Sequence, residues 1–251
     1  MNNISVIIIA KNEAENIVAC ISSARLISND IIVADSGSVD NTPTFAEQAG
    51  ARLLKVAWKG YGQTRNEAAK MALNNWILAL DADERITPQF AASINNLELI
   101  NDSIVYGCKR ENFLAAKKIR FGDWGNDKVY RLYNLQQAAW DLMLVHEKII
   151  GNTISRKVLP GSLLHYTMKD ISEYKKKTIL YAQLSANKYL AQGKKASFVK
   201  RFIAPVFSFI KDYFFRMGFL DGKEGFVIAT TSSKYIYLKY KFLNVLLQKK
   251  N

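Results

Sequence analysis

The stretch Ile77-Leu78-Ala79-Leu80-Asp81-Ala82-Asp83-Glu84 decides the fold class of this chain. Its apolar residues predict a buried strand, and acidic residues follow where the strand ends. In open α/β sheets, ligands bind outside the carboxyl ends of the strands, and carboxylate oxygens are the ligands that divalent cations such as Mg²⁺ prefer. The same pattern is also typical of a strand followed by a helix that Thr87 and Pro88 begin, with no bound ion.

The segments before this stretch alternate between short apolar runs and helical patterns. We predict strands at Ile4–Ala10, 31–34, 51–56 and 76–80, and helices at 13–26, 44–49 and 62–75. This alternation predicts an α/β fold with a doubly wound, mostly parallel sheet. From about residue 104 the apolar segments become shorter, which predicts a mixed or antiparallel region that completes the sheet.

Polar clusters follow three of the predicted strands. Lys11-Asn12-Glu13 follows the first strand, Asp35-Ser36-Gly37-Ser38 the second, and Asp81-Ala82-Asp83 the fourth. Because the carboxyl ends of parallel strands meet at one edge of a sheet, we expect the clusters to converge on one cleft. Each cluster alone is equally typical of polar residues that cap or begin a helix.

The composition predicts a folded protein with one large domain, or one domain with an appendage. The chain has 251 residues, of which 49% are hydrophobic, and only four prolines. Cys20 and Cys108 are too few for a disulfide framework, so we expect buried, reduced thiols, which suits a cytoplasmic location. The first residues lack the order of a signal peptide, and no uninterrupted apolar stretch reaches ~18 residues, so we expect no membrane-spanning helix.

The positive charge is concentrated in the last third of the chain. Residues 1–168 contain 18 Lys and Arg and 17 Asp and Glu, a net charge of +1, whereas residues 169–251 contain 17 and 5, a net charge of +12. The second segment also contains 16 of the 29 aromatic residues. We therefore expect a body at residues 1–168 and a basic, aromatic-rich, amphipathic helical region at residues 169–251. The partner of that region is expected to be a polyanion, namely a membrane surface, a nucleic acid or an acidic glycolipid.

Apolar residues between positions 199 and 217 recur at spacings of three and four, which predicts a helix with one apolar stripe that Pro205 kinks or restarts. Aromatic and Lys residues between positions 235 and 247 repeat the theme. Two interpretations fit this pattern. The helices either pack on the body with a solvated basic face, or they attach to an anionic membrane surface, to which each Lys or Arg contributes roughly 1 kcal/mol.

The order of the motifs resembles that of the family 2 glycosyltransferases of the GT-A fold, and in detail that of the lipopolysaccharide core β-1,4-glucosyltransferases. The matching segments are Lys11-Asn12-Glu13, Asp35-Ser36-Gly37-Ser38, Gly60-Tyr61-Gly62-Gln63-Thr64-Arg65-Asn66, Asp81-Ala82-Asp83-Glu84, Arg131-Leu132-Tyr133, Val145-His146-Glu147, His165-Tyr166 and Gly218-Phe219-Leu220-Asp221-Gly222. The resemblance implies that residues 1–168 form a GT-A (Rossmann-like) nucleotide-sugar-binding and catalytic domain. It also implies a nucleotide diphosphate sugar donor, such as a UDP-sugar, and a glycolipid or lipid-linked saccharide acceptor at the inner face of the cytoplasmic membrane.

The resemblance further implies which residues bind the donor. Asp35 would hold the nucleobase, with Asn12 and Glu13 nearby. Arg65 and Asn66 would face the nucleotide or its phosphates, and Asp81 would lie near the ribose or the metal. Arg131 would contact a phosphate or the acceptor. For Arg131, an ordinary surface arginine is the alternative.

A divalent metal and a general base complete the chemistry that the resemblance implies. Asp83 would bind Mg²⁺ or Mn²⁺ across the diphosphate, where the ion stabilises the leaving group. His165 is the expected second protein ligand, and a core or surface imidazole is its alternative.

Glu147 is the expected general base, which takes the proton of the acceptor hydroxyl. Family 2 enzymes commonly invert the anomeric centre in one displacement, so a single carboxylate suffices. This chain has His146-Glu147 where the wider family often has Glu-Asp, so Asp141 and Asp127 remain rival bases.

Two other functions fit parts of the sequence. The basic tail suits a nucleic-acid-binding protein, but its helical stripe is amphipathic rather than groove-like, and the acidic motifs disfavour a phosphate backbone. A nucleotidyltransferase would share the sheet and the metal chemistry, but residues 10–13 contain no Gly-rich phosphate loop. We therefore expect an inverting, metal-dependent transferase of a hexose such as glucose, with no nucleic acid partner.

Overall fold

The computed structural model describes residues 3–143, 147–168 and 170–250, which form two compact units. The first unit contains the residues up to Arg110 together with Lys128–His165, and the second contains Glu111–Asp127 together with the residues from Tyr166 onward. The expected division after residue 168 therefore differs from the observed one in residues 166–168 and in the segment Glu111–Asp127. This segment belongs to the second unit because its apolar side chains pack there in one cluster with Met168, Tyr174 and Ile228.

The described residues contain the strands and helices that the alternating pattern predicts, followed by additional strands. The strands are β1 Ile4–Ala10, β2 Asp30–Asp35, β3 Arg52–Lys55, β4 Trp76–Asp81, β5 Glu84–Ile86, β6 Ile104–Leu114, β7 Lys117–Lys118, β8 Asp127–Asn134, β9 Ala139–Trp140, β10 Ile149–Ile150 and β11 Ser155–Met168. The α-helices are α1 Ile17–Ala24, α2 Thr42–Gln48, α3 Tyr61–Ala69, α4 Pro88–Asn95, α5 Gly122–Gly125, α6 Ile171–Ala191, α7 Ala204–Ile210 and α8 Gly222–Lys250. Two π-helical turns at Val199–Ile203 and Lys211–Phe215 flank α7, and a 3₁₀ turn at Gly218–Asp221 precedes α8.

The main sheet is mixed, with a parallel half that comes from the N-terminal part of the chain. Its strand order is β3-β2-β1-β4-β8-β6-β11-β5, and β7 pairs with β6. Strands β1 to β4 are parallel, whereas β8 runs antiparallel to β4 and β5 runs antiparallel to β11. The predicted α/β class with a mostly parallel sheet is confirmed, as is the mixed region that completes it.

Strand β1 is buried along its whole length because helices cover both faces of the sheet. Alternate residues point to opposite faces, so Val6 and Ile8 join one apolar cluster while Ile7 and Ile9 join another. The first cluster includes residues of α1, α2 and α4, and the second includes residues of α3. Both predicted core thiols, Cys20 and Cys108, are free and buried, and burial raises the pKa of Cys108 to about 12.

The register of the parallel strands brings the predicted polar clusters to one edge of the sheet. Ala10 lies opposite Asp35, and Ile9 lies opposite Asp81. The loops that follow β1, β2 and β4 therefore start side by side. The predicted cap of the next helix is also confirmed, since the Thr87 side chain accepts a hydrogen bond from Phe90 N at the start of α4.

In the second unit, α7 lies against α8 with its apolar stripe turned outward. Its inner face contacts α8, where Ser233 Oγ donates to Pro205 O at 2.8 Å and Phe209 packs edge-on against Phe226. The stripe residues are all exposed by 39% or more, namely Val199, Phe202, Ile203, Val206, Phe207, Ile210, Phe214 and Met217. Pro205 occupies the first turn of α7, so the helix restarts there as predicted.

Within the described part of the chain, no helix combines the length and the apolar character needed to cross a lipid bilayer.

Candidate active site

The carboxylates at the end of β4 form a buried charge network with two arginines. Arg65 Nη2 lies 2.5 Å from Asp81 Oδ1, and Arg131 Nη2 lies 2.7 Å from Asp81 Oδ2. The same Arg131 nitrogen lies 2.7 Å from Glu84 Oε1, while Glu84 Oε2 accepts from the Asp81 backbone N–H at 3.1 Å. Arg131 reaches this point because Leu132 pairs with Leu78 in the antiparallel register of β8 and β4.

Electrostatics favour the charged forms of Asp81 and Arg131. Burial alone would raise the pKa of Asp81, but the guanidinium groups of Arg131 and Arg65 outweigh burial and hold that pKa well below its usual range. Burial likewise would lower the pKa of Arg131, but Asp81 and Glu84 raise it. Both carboxylate oxygens of Asp81 are thus occupied by cations.

Glu147 joins the network through Arg65. Arg65 Nη1 lies 2.6 Å from Glu147 Oε1, and the Arg65 side chain is only 1% exposed. The guanidinium also lies over the Trp140 ring, 4.4 Å from its centroid. One arginine therefore connects the acidic strand end with the carboxylate that the sequence analysis favours as the base.

The two rival bases lie in different surroundings. The Asp141 carboxylate accepts from Met143 N at 3.3 Å, within its own turn. Asp127 belongs to the second unit, where its carboxylate accepts from Asn112 at 3.2 Å. Among the three candidates, Glu147 is the one whose ion pair joins the network around Asp81. His146, the neighbour of Glu147, lies outside the described residues.

Asp83 and His165 lie side by side next to the carboxyl end of β4. His165 Nε2 is 3.5 Å from Asp83 Oδ2, and their side chains are 13% and 18% exposed. The register of β11 and β5 explains the approach, because His165 pairs with Glu84, the residue after Asp83. Among the described residues, no group of three or more His, Cys, Asp or Glu is arranged to hold a metal ion.

An oxygen and an imidazole nitrogen at this separation fit a divalent cation that takes the rest of its ligands from a diphosphate and water.

The loops after β1 and β2 are held together by the residues expected to bind the nucleobase. Asn12 adopts a left-handed conformation with φ of 57°, and its side-chain oxygen accepts from Val39 N at 2.9 Å. Asp35 is 4% exposed and accepts from the N–H groups of Gly37 and Ser38 at 3.2 and 3.1 Å. These contacts fix the turn after β2 next to the loop after β1.

Glu13 lies at the start of the segment that leads into α1. Its backbone N–H donates to Thr42 Oγ1 at 2.7 Å, and its carboxylate accepts from Asn16 Nδ2 at 2.8 Å. The structure thus places Glu13 on the same edge of the sheet as Asn12 and Asp35.

Three residues that were expected to face the nucleotide or the acceptor make contacts within the protein. Arg65 and Arg131 are 1% and 4% exposed and pair with carboxylates, so Arg131 is not a surface arginine. Asn66 uses both ends of its amide on the backbone of Trp140, at 2.8 and 3.0 Å. The expectation missed these arrangements because each partner lies on a strand or loop far away in the sequence.

Neither Glu84 nor Trp140 was among the residues expected in the site. Glu84 is completely buried and accepts from Arg131 and, at 3.4 Å, from Arg110. An acidic residue at the first position of a new strand, directly after Asp83, is the signal that could have identified it. Trp140 is 5% exposed and faces both arginines, but nothing in its local sequence distinguishes it from a core aromatic.

Comparisons with known proteins point to a single family. A family model described as Glycosyl transferase family 2 matches residues 5–159. An uncharacterized glycosyltransferase of Rickettsia felis is 29% identical over 265 residues, covering 100% of this chain and 93% of its own length. The lipopolysaccharide core biosynthesis glycosyltransferase LpsC of Rhizobium meliloti is 28% identical over 252 residues, covering 94% of this chain and 89% of its own length.

Among solved structures, glucosyl-3-phosphoglycerate synthase from Mycobacterium tuberculosis in complex with Mn²⁺ and UDP-glucose aligns with a TM-score of 0.37 at 25% identity, over 44% of this chain and 43% of that chain. The family assignment itself comes from the sequence match, which extends over more than half of the chain and includes the strand ends described above. This chain is a glycosyltransferase and belongs to family 2.

Proposed function

We propose that this glycosyltransferase transfers a hexose from a UDP-sugar to a glycolipid or lipid-linked saccharide, with inversion at the anomeric carbon. The observation that carries the proposal is the arrangement at the end of β4. There the Asp83–His165 pair lies beside a network in which Arg65 joins Asp81 to Glu147. Family membership favours sugar transfer over the two alternatives considered from the sequence, nucleic-acid binding and nucleotidyl transfer.

The donor would bind along the edge where the loops after β1, β2 and β4 meet. Asp35, Asn12 and Glu13 would line the nucleobase end, where the turn after β2 is already ordered by its own hydrogen bonds. Asp83 and His165 would hold Mg²⁺ or Mn²⁺ at the diphosphate end. When bound, the ion would neutralise the charge that develops on the departing UDP.

The transfer itself needs one base and one displacement. The acceptor hydroxyl oxygen attacks the anomeric carbon while the bond from that carbon to the diphosphate oxygen breaks, and the electron pair leaves with UDP. Glu147 accepts the hydroxyl proton. Attack on the face opposite the leaving group inverts the anomeric centre, so no second carboxylate is required.

The acceptor and the place of action are inferred from the second unit and from the relatives. The outward stripe of α7 and its flanking turns presents exposed Phe, Val and Ile side chains, and exposed Lys200 and Lys211 lie beside them. An apolar face with adjacent cations suits the interface of an anionic membrane, where Lys side chains extend toward the headgroups. The name of LpsC refers to lipopolysaccharide core biosynthesis, which supports a glycolipid acceptor such as a lipopolysaccharide core at the inner face of the cytoplasmic membrane.

A panel of nucleotide sugars tests this proposal directly. Purified full-length protein is titrated with UDP-glucose, UDP-galactose, GDP-mannose and dTDP-glucose, each with Mn²⁺, with Mg²⁺ and with EDTA. We expect one UDP-sugar to bind in a metal-dependent manner and to be hydrolysed slowly when no acceptor is added. The Asp83→Asn variant should lose the gain in affinity for the UDP-sugar that the metal gives. The Asp40→Asn variant, on the exposed loop after β2, should retain that gain. Binding of no nucleotide sugar, or equal binding in EDTA, would contradict the proposal.

A further inference from the structure

One face of α3 contacts the segment that leads to Glu147. Gly62, Arg65 and Asn66 are spaced at i, i+3 and i+4, so their side-chain positions lie on one face of the helix. All three contact Trp140, Asp141 or Glu147 through backbone, side-chain or ring atoms. The segment at residues 60–66, which resembles family 2, therefore packs against these residues, apart from any contact that it makes with the nucleotide.

Gly62 allows the helix to approach this segment at backbone distance. A Cβ atom at this position would lie 2.0 Å from the Asp141 carbonyl oxygen and 3.3 Å from the Trp140 Cβ. Any larger residue would push the helix and the segment apart, because the first atom it meets is backbone.

The Asn66 side chain makes the two backbone hydrogen bonds to Trp140 that a neighbouring strand would make. Its Nδ2 donates to the Trp140 carbonyl at 2.8 Å, and its Oδ1 accepts from the Trp140 N–H at 3.0 Å. Trp140 belongs to the short strand β9, which pairs with β10, so that Asp141 N donates to Lys148 O at 2.9 Å. Because Lys148 follows Glu147, holding Trp140 and Asp141 also fixes the backbone next to Glu147.

Arg65 completes the set by contacting the side chains themselves. It pairs with Glu147 at 2.6 Å, lies over the Trp140 ring and binds Asp81 with its other terminal nitrogen. A buried arginine with both terminal nitrogens committed keeps a fixed geometry, because releasing either carboxylate would leave a buried charge without its partner.

From these contacts we propose that the Gly62, Arg65 and Asn66 face of α3 positions Glu147 for proton transfer, and that Asn66 in particular does not bind the nucleotide. The inference rests on the proposed role of Glu147 as the base. Arg65 and Asn66 are then positioning residues, with Asn66 acting only through the segment that it holds. Small displacements of a base cost rate rather than donor affinity, since a shift of about 1 Å can reduce turnover by about 100-fold.

The Asn66→Ala variant tests the inference, with Gln63→Ala as the matched control on the same helix. The Gln63 side chain contacts Glu67 rather than the Trp140 segment. For Asn66→Ala we expect turnover to fall by roughly 10- to 100-fold while the dissociation constant for UDP with Mn²⁺ changes less than about twofold. Backbone hydrogen exchange in the peptide covering residues 139–143 should become at least about tenfold faster. Gln63→Ala should change none of these values.

Each outcome of this experiment decides a separate question. If Asn66→Ala weakens UDP binding as much as it lowers turnover, Asn66 contacts the nucleotide and the inference is wrong. Unchanged turnover together with unchanged exchange would also overturn it. If wild-type protein transfers no sugar, the proposed function fails, but the exchange rates still show whether Asn66 holds the segment. Should Asn66→Ala fold poorly, Asn66→Asp retains the acceptor for Trp140 N and should show a smaller loss of the same kind.

Discussion

At the scale of single residues, Arg65 is the side chain that organises the site. It is buried, lies on the Trp140 ring and separates the carboxylates of Asp81 and Glu147, which would otherwise repel each other. Burying an ion is costly, and the cost is offset only when the partners satisfy its hydrogen bonds. The two terminal nitrogens of Arg65 meet that condition through ion pairs of 2.5 and 2.6 Å, whereas its buried Nε has no hydrogen-bond partner among the described residues. We therefore expect Arg65 to contribute to the stability of the protein through these two ion pairs.

Replacing Arg65 by Leu should destabilise the protein strongly, because the carboxylates of Asp81 and Glu147, which are 25% and 15% exposed, would lose their common buried partner. We expect the free energy of unfolding to fall by about 3–5 kcal/mol, as for other broken buried ion pairs. Urea denaturation of wild type and variant measures the difference. Arg52→Gln serves as the control, since the Arg52–Asp30 ion pair is half exposed on the arginine side and should cost less than about 1 kcal/mol. Equal losses in the two variants would show that Arg65 does not hold the network.

At the scale of secondary-structure elements, strand ends and strand register bring the site together. The β-branched runs and the polar residues after them predict the parallel strands and their common edge, and the register of β1 with β2 and β4 confirms both. Periodicity within a strand shows which face is buried. It does not show which distant strand pairs with it, or in which register.

The resemblance implied that Asp83 and His165 lie together, and the pairing of β11 with β5 brings them side by side. Arg131 meets Asp81 because β8 pairs with β4, a contact between distant strands that the sequence did not predict. The resemblance to family 2 placed Arg131 near the site but assigned it to the phosphates or the acceptor. Its burial between two acidic side chains becomes visible only once the sheet is assembled. The segment Glu111–Asp127 likewise belongs to the second unit because of tertiary packing, which the sequence does not show.

The outward stripe of α7 leads to a prediction about membrane binding. Phe207 is 62% exposed, so its replacement by Ser should cost little stability but should remove apolar area from the surface that we propose enters the interface. A large apolar side chain contributes roughly 1.5–3 kcal/mol when fully buried. We therefore expect Phe207→Ser to bind vesicles containing phosphatidylglycerol about tenfold more weakly than wild type in a sedimentation assay.

The control for this prediction is Leu73→Ser, which removes a 76% exposed apolar residue from the first unit and should leave vesicle binding unchanged. High salt should weaken the binding of wild type, because the cations of the second unit act through screened electrostatics. Binding to neutral phosphatidylcholine vesicles that equals binding to anionic vesicles would contradict the role of charge. An undiminished affinity of Phe207→Ser would contradict the role of the stripe.

At the scale of the whole molecule, charge and chemistry are divided along the chain. Residues 1–168 have a net charge of +1 and contain the Asp81 network, whereas residues 169–251 have a net charge of +12 and contain the outward stripe. In the proposed function, the nearly neutral part, which contains the proposed base and metal ligands, would attract polyanions little, and the strongly basic part would favour an anionic surface. This division suits an enzyme whose donor is dissolved in water and whose acceptor is embedded in a membrane.

The turnover of Glu147→Gln relative to its donor affinity tests the central claim most directly. The substitution preserves size and keeps one oxygen that can accept from Arg65, but it removes the basic carboxylate, and general bases typically contribute about 10²–10⁴-fold to the rate. With the UDP-sugar found in the panel and a saccharide acceptor, we predict a loss of that size. The dissociation constant for UDP with Mn²⁺ should stay within about threefold of wild type, and the control Asp141→Asn should transfer sugar at nearly the wild-type rate. Near-normal turnover by Glu147→Gln would contradict the account. A large loss of turnover in Asp141→Asn would also contradict it.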